Sequence, residues 1–127
     1  MTPEVPAVLM RLAEVVGRNA MPGVPEAERA SDLGLSAMLL ALAAEVWDGA
    51  AHNLVEENRA FRALLGATGA DDDLRLSALK AENDRLRGLV IEAHAAAEQA
   101  GDRAREDAIW AALLASTERR KLSVSLV

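Results

Sequence analysis

The sequence predicts an all-α fold, and three observations support this. Alanine supplies roughly a fifth of the 127 residues and leucine much of the rest, and both favour helices. Aromatic residues make up only 2% of the chain, and isoleucine and threonine, which strands also prefer, are scarce. Apolar residues recur every three or four positions. We expect one domain over residues 1–127, an antiparallel four-helix bundle with a long, coiled-coil-like central hairpin.

Proline, glycine and a capping residue set the bounds of the four expected helices. Pro3 and Pro6 suit a first helical turn, because proline lacks the N–H group that is unpaired there. Gly17 and Gly101 suit helix ends, and Asp102 suits the N-cap of the last helix. The expected helices cover approximately residues 3–17, 26–66, 71–100 and 102–121.

The second helix is unusually long and apolar. Between Leu33 and Trp47 only a glycine, a serine and a glutamate interrupt the apolar residues. The run is shorter than the roughly 20 residues of a membrane span, so we expect a buried helix and no membrane contact. A helix that is apolar on all sides must be covered by its own domain or by a second copy, and Trp47 and Trp110 are expected in the core or at a dimer contact. We therefore expect a homodimer.

Two further segments connect or end the helices. Gly66 and Gly69 suit the end of the second helix, and the run Asp71–Asp73 suits the positive N-terminus of the third. In the tail, residues 122–127, apolar residues alternate with serine, which is typical of an extended segment. Such a tail could cross the bundle surface, pair with its counterpart in a dimer, or be disordered.

A repeated pattern links the two helices of the hairpin. The stretch "LVEENRAFRALL" (Leu54–Leu65) returns as "LKAENDRLRGLV" (Leu79–Val90). In each copy an asparagine, Asn58 or Asn83, lies in an apolar row of heptad type. If the turn centres near Ala70, the two asparagines face each other across the hairpin.

The repeat has two interpretations. A buried asparagine pair can fix the register of two helices, and this predicts that replacing both asparagines with leucine gives a folded, more stable protein. Alternatively, the polar groups grip a small carboxylate or phosphate through arginine. The residues of this predicted register or ligand site are Glu57, Asn58, Arg62, Glu82, Asn83 and Arg87.

Two histidine–glutamate pairs are candidates for metal ligands. His52 and Glu56, and His94 and Glu98, are each four residues apart, which places each pair on one helix face. The further carboxylates and the spacing of di-iron bundles are absent, and heptad counting puts both histidines outward. We expect surface or interface histidines and no bound metal or other cofactor.

Charge and composition narrow the classes of function. The net charge of −6 disfavours nucleic acid as a partner, and without cysteine the chain has no thiol nucleophile. Neither a signal peptide nor a catalytic serine arrangement is expected, so the sequence favours a cytoplasmic location and no catalysis. The expected function is that of a small interaction or accessory protein that forms a homodimer and could bind another protein. The alternative is a bundle protein or enzyme that holds a small ligand or metal between the second and third helices.

Overall fold

The described part of the chain is predominantly helical. The computed structural model describes residues 5–123, except for the side chains of residues 19–21, 29 and 30. No strand occurs in this range, so the all-α class is confirmed. The helices are α1 (Val5–Val15), α2 (Glu26–Glu28), α3 (Gly34–Leu65), α4 (Leu76–Ala100) and α5 (Arg103–Arg119).

The helices belong to two compact units, which we call unit 1 and unit 2. Unit 1 contains the described residues up to Gly49 together with Leu122 and Ser123. Unit 2 is Ala50–Lys121, so the long helix α3 contributes its first half to one unit and its second half to the other. The four-helix bundle, the single domain and the dimer remain predictions.

Unit 1 is built from short, irregular helical turns around α1 and α2. Wide π-helical turns cover Val16–Ala20 and Arg29–Leu33, and a 3₁₀ turn covers Met21–Gly23. The segment after Gly17, expected as a non-helical linker, is therefore partly helical. Ser123 donates from its backbone N–H and its hydroxyl to the Glu45 carboxylate, at 2.7 and 2.6 Å. Residues 1–4 and 124–127, which include the predicted start of the first helix and most of the predicted tail, lie outside the described range.

The apolar residues of unit 1 are largely exposed, contrary to expectation. Helix α1 has no buried side chain although its apolar positions follow the helical period. In the run Leu33–Trp47, Leu42 and Ala44 are buried, but four large apolar side chains are exposed: Leu35, Leu39, Val46 and Trp47. Within a single chain the helix is therefore not buried on all sides, and its burial by a second copy remains a prediction.

Helix α3 also meets a length criterion for membrane spans. The continuous helical segment Glu26–Leu65 is long and apolar enough to cross a bilayer, and only 11% of its most apolar window is buried. Core helices of soluble proteins meet the same criterion, so length and composition alone are weak evidence for a span.

Unit 2 has a well-formed apolar core between three helices. The second half of α3 supplies Phe61, α4 supplies Leu86 and Val90, and α5 supplies Ile109. All four side chains are buried, and partly buried leucines and alanines pack around them. Burial of this kind is the main source of stability in a domain of this size.

Glycine and aspartate define the helix ends in unit 2. Gly66 and Gly101 both have φ of 66°, a left-handed conformation that ends α3 and α4. Asp102 accepts a 3.0 Å hydrogen bond from the Arg105 N–H, which confirms it as the cap of α5. Helix α4 begins at Leu76 and not at residue 71, because Asp71 bonds side chains of α3.

Candidate functional site

The two asparagines of the repeat meet inside unit 2. Asn83 Nδ2 donates to Asn58 Oδ1 at 3.0 Å, and both side chains are buried. Asn58 Nδ2 donates in turn to Asp71 Oδ1 at 3.0 Å and to the Leu79 carbonyl at 3.3 Å. We call the surrounding group the polar cluster; its members are Glu57, Asn58, Arg62, Asp71, Glu82, Asn83, Arg87, Ser116 and Arg120.

Each helix of unit 2 contributes a polar side chain to the polar cluster from an apolar row. Asn58 in α3 and Asn83 in α4 each follow a leucine by four residues and precede an apolar residue by three. In α5, Ser116 lies three residues after Leu113 and seven after Ile109, so it continues their row, and Arg120 follows it by four. The asparagines therefore lie between apolar residues, whereas Ser116 lies at the C-terminal end of its apolar row.

Glu57 is the centre of the polar cluster. Its side chain is buried, with the residue only 1% exposed, and its carboxylate accepts from four residues. Oε1 accepts from Asn83 at 3.2 Å and from Arg87 and Arg120, and Oε2 accepts from Ser116 at 2.8 Å and Arg120 at 2.9 Å. A buried charge needs such pairing, and here two guanidinium groups supply it.

Arg62 holds the other end of the polar cluster. Its guanidinium group donates twice to the Asp71 carboxylate, at 2.8 and 3.2 Å, and once to Glu82 at 2.9 Å. The side chains of Arg62 and Asp71 are both buried. This fork tethers the loop between α3 and α4 to the helix that precedes it.

The electrostatics of the polar cluster keep its carboxylates charged. Burial raises the pKa of Glu57, but hydrogen bonds from Ser116 and Asn83 and the charges of two arginines bring it below the usual value. Hydrogen bonds from Arg62 lower the pKa of Asp71. At Glu82, hydrogen bonding chiefly to Arg85 lowers the pKa to about 2.

Arg87 joins the polar cluster to the apolar core. Its Nε donates to Asn83 Oδ1 at 3.0 Å, and its Nη2 also donates to Ser116 Oγ at 3.3 Å. The carbon of the Arg87 guanidinium group lies 5.6 Å from the centre of the Phe61 ring, which is within the range of a cation–π contact. One side chain thus contacts all three helices of unit 2.

The buried polar atoms of the polar cluster bond one another. In the described range, His94 Nε2 and Arg119 Nη1 are the buried side-chain nitrogens or oxygens without a hydrogen-bond partner. Neither belongs to the polar cluster, whose buried polar atoms are all paired. Ser116 donates its proton to a carboxylate, Glu57, and no described histidine bonds it as a base.

The histidine–glutamate pairs lie apart from the polar cluster. His94 Nε2 is 3.8 Å from Glu98, and its ring meets Trp110 edge to face. His52 is exposed, and Glu56 pairs with Arg59 at 2.5 Å. Within residues 5–123 no group of three or more histidine, aspartate or glutamate side chains is arranged to hold a metal ion.

The chain has no match in comparisons with protein-family models, curated proteins and solved structures. Functional inference therefore depends on the geometry of the described residues.

All six predicted residues of the register or ligand site lie in the polar cluster, and three members escaped sequence analysis. Asp71 was assigned to a helix N-terminus, and Ser116 and Arg120 were expected only as residues of the last helix. The missed signal for Ser116 and Arg120 is the continued row Ile109, Leu113, Ser116, Arg120, which has the same spacing as the asparagine rows. Whether the site fixes register or binds a ligand remains a prediction.

Proposed function

We propose that the protein is a non-catalytic helical interaction protein that forms a homodimer through the apolar side chains of unit 1. One observation carries this proposal: α1 buries no side chain, and only 11% of the apolar window that includes the first half of α3 is buried. Isolated apolar residues are normal on a surface, but contiguous apolar faces mark interaction sites.

The exposed residues of α3 form a row suited to another helix. Leu35, Leu39 and Val46 are four and seven residues apart, so they share one face, and Trp47 lies beside them. An apolar row of this kind is complementary to itself, because no charge must be matched. A second copy of the chain is therefore the partner that the row fits.

The charge of unit 1 favours a protein partner over a membrane surface. Helices that lie on membranes carry lysine and arginine along their polar face. In unit 1 acidic residues outnumber basic ones; Glu45 directly precedes Val46 of the exposed row, and Asp48 directly follows Trp47. Repulsion from anionic headgroups supports our proposal of a cytoplasmic protein without membrane contact.

The polar cluster supports a register role for Asn58 and Asn83. The Glu57 carboxylate already occupies the position between Arg87 and Arg120 that an anionic ligand would take. Paired polar groups inside an apolar core favour one alignment of the helices, because any shift would leave them without partners. Unit 2 then acts as a scaffold for the surfaces that bind.

Light scattering coupled to size-exclusion chromatography tests the proposed self-association. We expect a mass near twice the 13.5 kDa of the chain at micromolar concentration. Replacing Leu39 and Val46 with glutamate should give a folded monomer, because each side chain is already exposed in the single chain. The matched control is Leu74→Glu, an exposed leucine of unit 2, which should leave the dimer intact.

A monomer at all concentrations would refute the proposal. The alternative, a ligand or metal between α3 and α4, is examined by native mass spectrometry of the purified protein. Added mass that disappears in Arg87→Ala, or zinc binding that requires His94, would support the alternative instead.

A further inference from the structure

Ser123 attaches the segment after α5 to helix α3. Its backbone N–H and its hydroxyl both donate to the Glu45 carboxylate, at 2.7 and 2.6 Å. The hydrogen bonds from the hydroxyl and from the backbone N–H of Ser123 lower the pKa of Glu45, so this carboxylate is charged at neutral pH. Ser123 itself is exposed and lies outside the helices, four residues after the end of α5. Its hydroxyl is therefore both bonded and accessible from solvent.

Three basic residues precede Ser123 by four, three and two positions: Arg119, Arg120 and Lys121. Lys121 pairs with Glu118 at 2.7 Å, but both side chains are more than half exposed, so the pair is weak and a competing acid can replace it. Arg120 is half exposed although it also bonds Glu57. Basic residues just before a hydroxyl form a charge pattern that a kinase with an acidic substrate groove can select.

No other hydroxyl among the described residues combines exposure, a non-helical backbone and preceding basic residues. Three of them donate, within helical segments, to the carbonyl four residues before: Ser31, Ser36 and Thr117. Ser116 is buried. Thr68 is exposed in a loop, but none of the four residues before it is basic, and Ser77 lies in the first turn of α4 after the acidic run Asp71–Asp73. The structure therefore favours Ser123 as the target of a basic-directed kinase.

We propose that Ser123 is a phosphorylation site for a serine/threonine kinase of basic specificity, and that the phosphate separates Ser123 from Glu45. The γ-phosphoryl group of ATP passes to Ser123 Oγ: its bond to the bridging oxygen breaks, the new P–O bond forms, ADP leaves, and the hydroxyl proton passes to a base of the kinase. Oγ then has no proton to donate, and a group with a charge of about −1.5 to −2 lies beside a carboxylate that it repels. An attraction between the segment and α3 becomes a repulsion, whether or not the chain self-associates.

Phosphorylation of the purified full-length chain tests the site. The chain is incubated with ATP, magnesium and the catalytic domain of a serine/threonine kinase that prefers arginine and lysine before its target, and the phosphate is located by tandem mass spectrometry. We expect the phosphate on Ser123, and Ser123→Ala should remove nearly all incorporation. Phosphate located on another residue and not on Ser123 would overturn the proposal.

The two lysines of the chain provide a matched pair of variants for the charge pattern. Lys121→Glu should slow incorporation by about tenfold, because it replaces a basic residue before Ser123 with an acid that the kinase repels. Lys80→Glu makes the same change at an exposed residue of α4 and should leave the rate unchanged. Equal rates for the two variants would contradict recognition through the basic residues.

Hydrogen exchange of the Ser123 amide, followed by NMR, tests the separation. Because this N–H donates to Glu45, its exchange should become at least about fivefold faster once Ser123 is phosphorylated. In Glu45→Ala the amide should already exchange fast, and phosphorylation should add little. This control distinguishes loss of the contact from a direct chemical effect of the phosphate on the amide. A phosphorylated natural chain whose Ser123 amide keeps its protection would overturn the proposal.

Discussion

The two units of this chain use the same helical building blocks with opposite results. Unit 2 buries Phe61 and Ile109 in a core and pairs the buried polar atoms of its central cluster. Unit 1 has equally apolar helices, yet α1 buries nothing and Trp47 is 52% exposed. An apolar helix face therefore favours contact with another surface. The core of unit 2 provides that contact, whereas α1 and the first half of α3 leave their apolar faces exposed in the single chain.

The contrast shows what helical periodicity reports. The apolar row of α1 is the most regular in the chain, whereas α3 and α4 interrupt theirs with Asn58 and Asn83. Regularity identifies which face is apolar but not which surface covers it. The interrupted rows are the better guide to packing here, because a buried polar group requires a specific partner.

The largest expected effect comes from truncating a buried aromatic side chain of unit 2, compared with the same change to an exposed aromatic side chain of unit 1. Phe61→Ala should lower the free energy of unfolding by about 4 kcal/mol, since it leaves a cavity among the core side chains. Trp47→Ala should change it by less than about 1 kcal/mol when the protein is dilute enough to be monomeric. Urea unfolding followed by circular dichroism measures both. Similar losses for the two variants would abolish the distinction between the units.

Removal of the central carboxylate should have the next largest effect. Glu57→Ala leaves Arg87 and Arg120 without their shared acceptor, and the expected loss is about 3 kcal/mol, because both arginines are partly exposed and can be hydrated. Glu56→Ala, one residue away, removes an exposed pair with Arg59 and should cost less than about 0.5 kcal/mol. Equal losses in urea unfolding would argue against a central role for Glu57.

Replacing both asparagines with leucine should now destabilise the protein, the opposite of the expectation from sequence. Asn58 and Asn83 bond each other but also Asp71, Glu57 and Arg87, so leucines would leave those charges with fewer partners. We expect a loss of about 2 kcal/mol by urea unfolding. A more stable double variant would restore the simpler account of an isolated asparagine pair.

The sequence alone was sufficient to predict the helical class and the contact between the two asparagines. Both follow from local information: composition, the helical period, and glycines that locate a turn. Antiparallel neighbours are then determined by their distance from the turn, which placed Asn58 level with Asn83.

The other contacts of the polar cluster could not be predicted from the sequence, because they depend on tertiary geometry. Asp71 lies in the loop, and its approach to Arg62 follows from the path of the backbone after Gly66, which no periodic pattern encodes. Arg120 reaches Glu57 only because α5 returns alongside α3. The run Asp71–Asp73 suggested a helix N-terminus, and nothing in the local pattern linked Arg120 to Glu57.

The smallest expected effect is a pH dependence at the edge of the polar cluster. The pKa of Glu82 falls from an ordinary 4.5 to about 2 in the folded state, so its contribution is complete above about 4.5 and is lost as the pH falls towards 2. Glu82→Gln should therefore cost about 1 kcal/mol at pH 7, a modest value because the side chain is partly hydrated, and progressively less below pH 4.5. Thermal unfolding of both proteins across this range measures the difference. Glu56→Gln is the control, with an effect within about 0.5 kcal/mol throughout. If Glu82→Gln lowered the stability by the same amount near pH 2 as at pH 7, the shape of the Glu82 side chain and not its charge would determine its contribution.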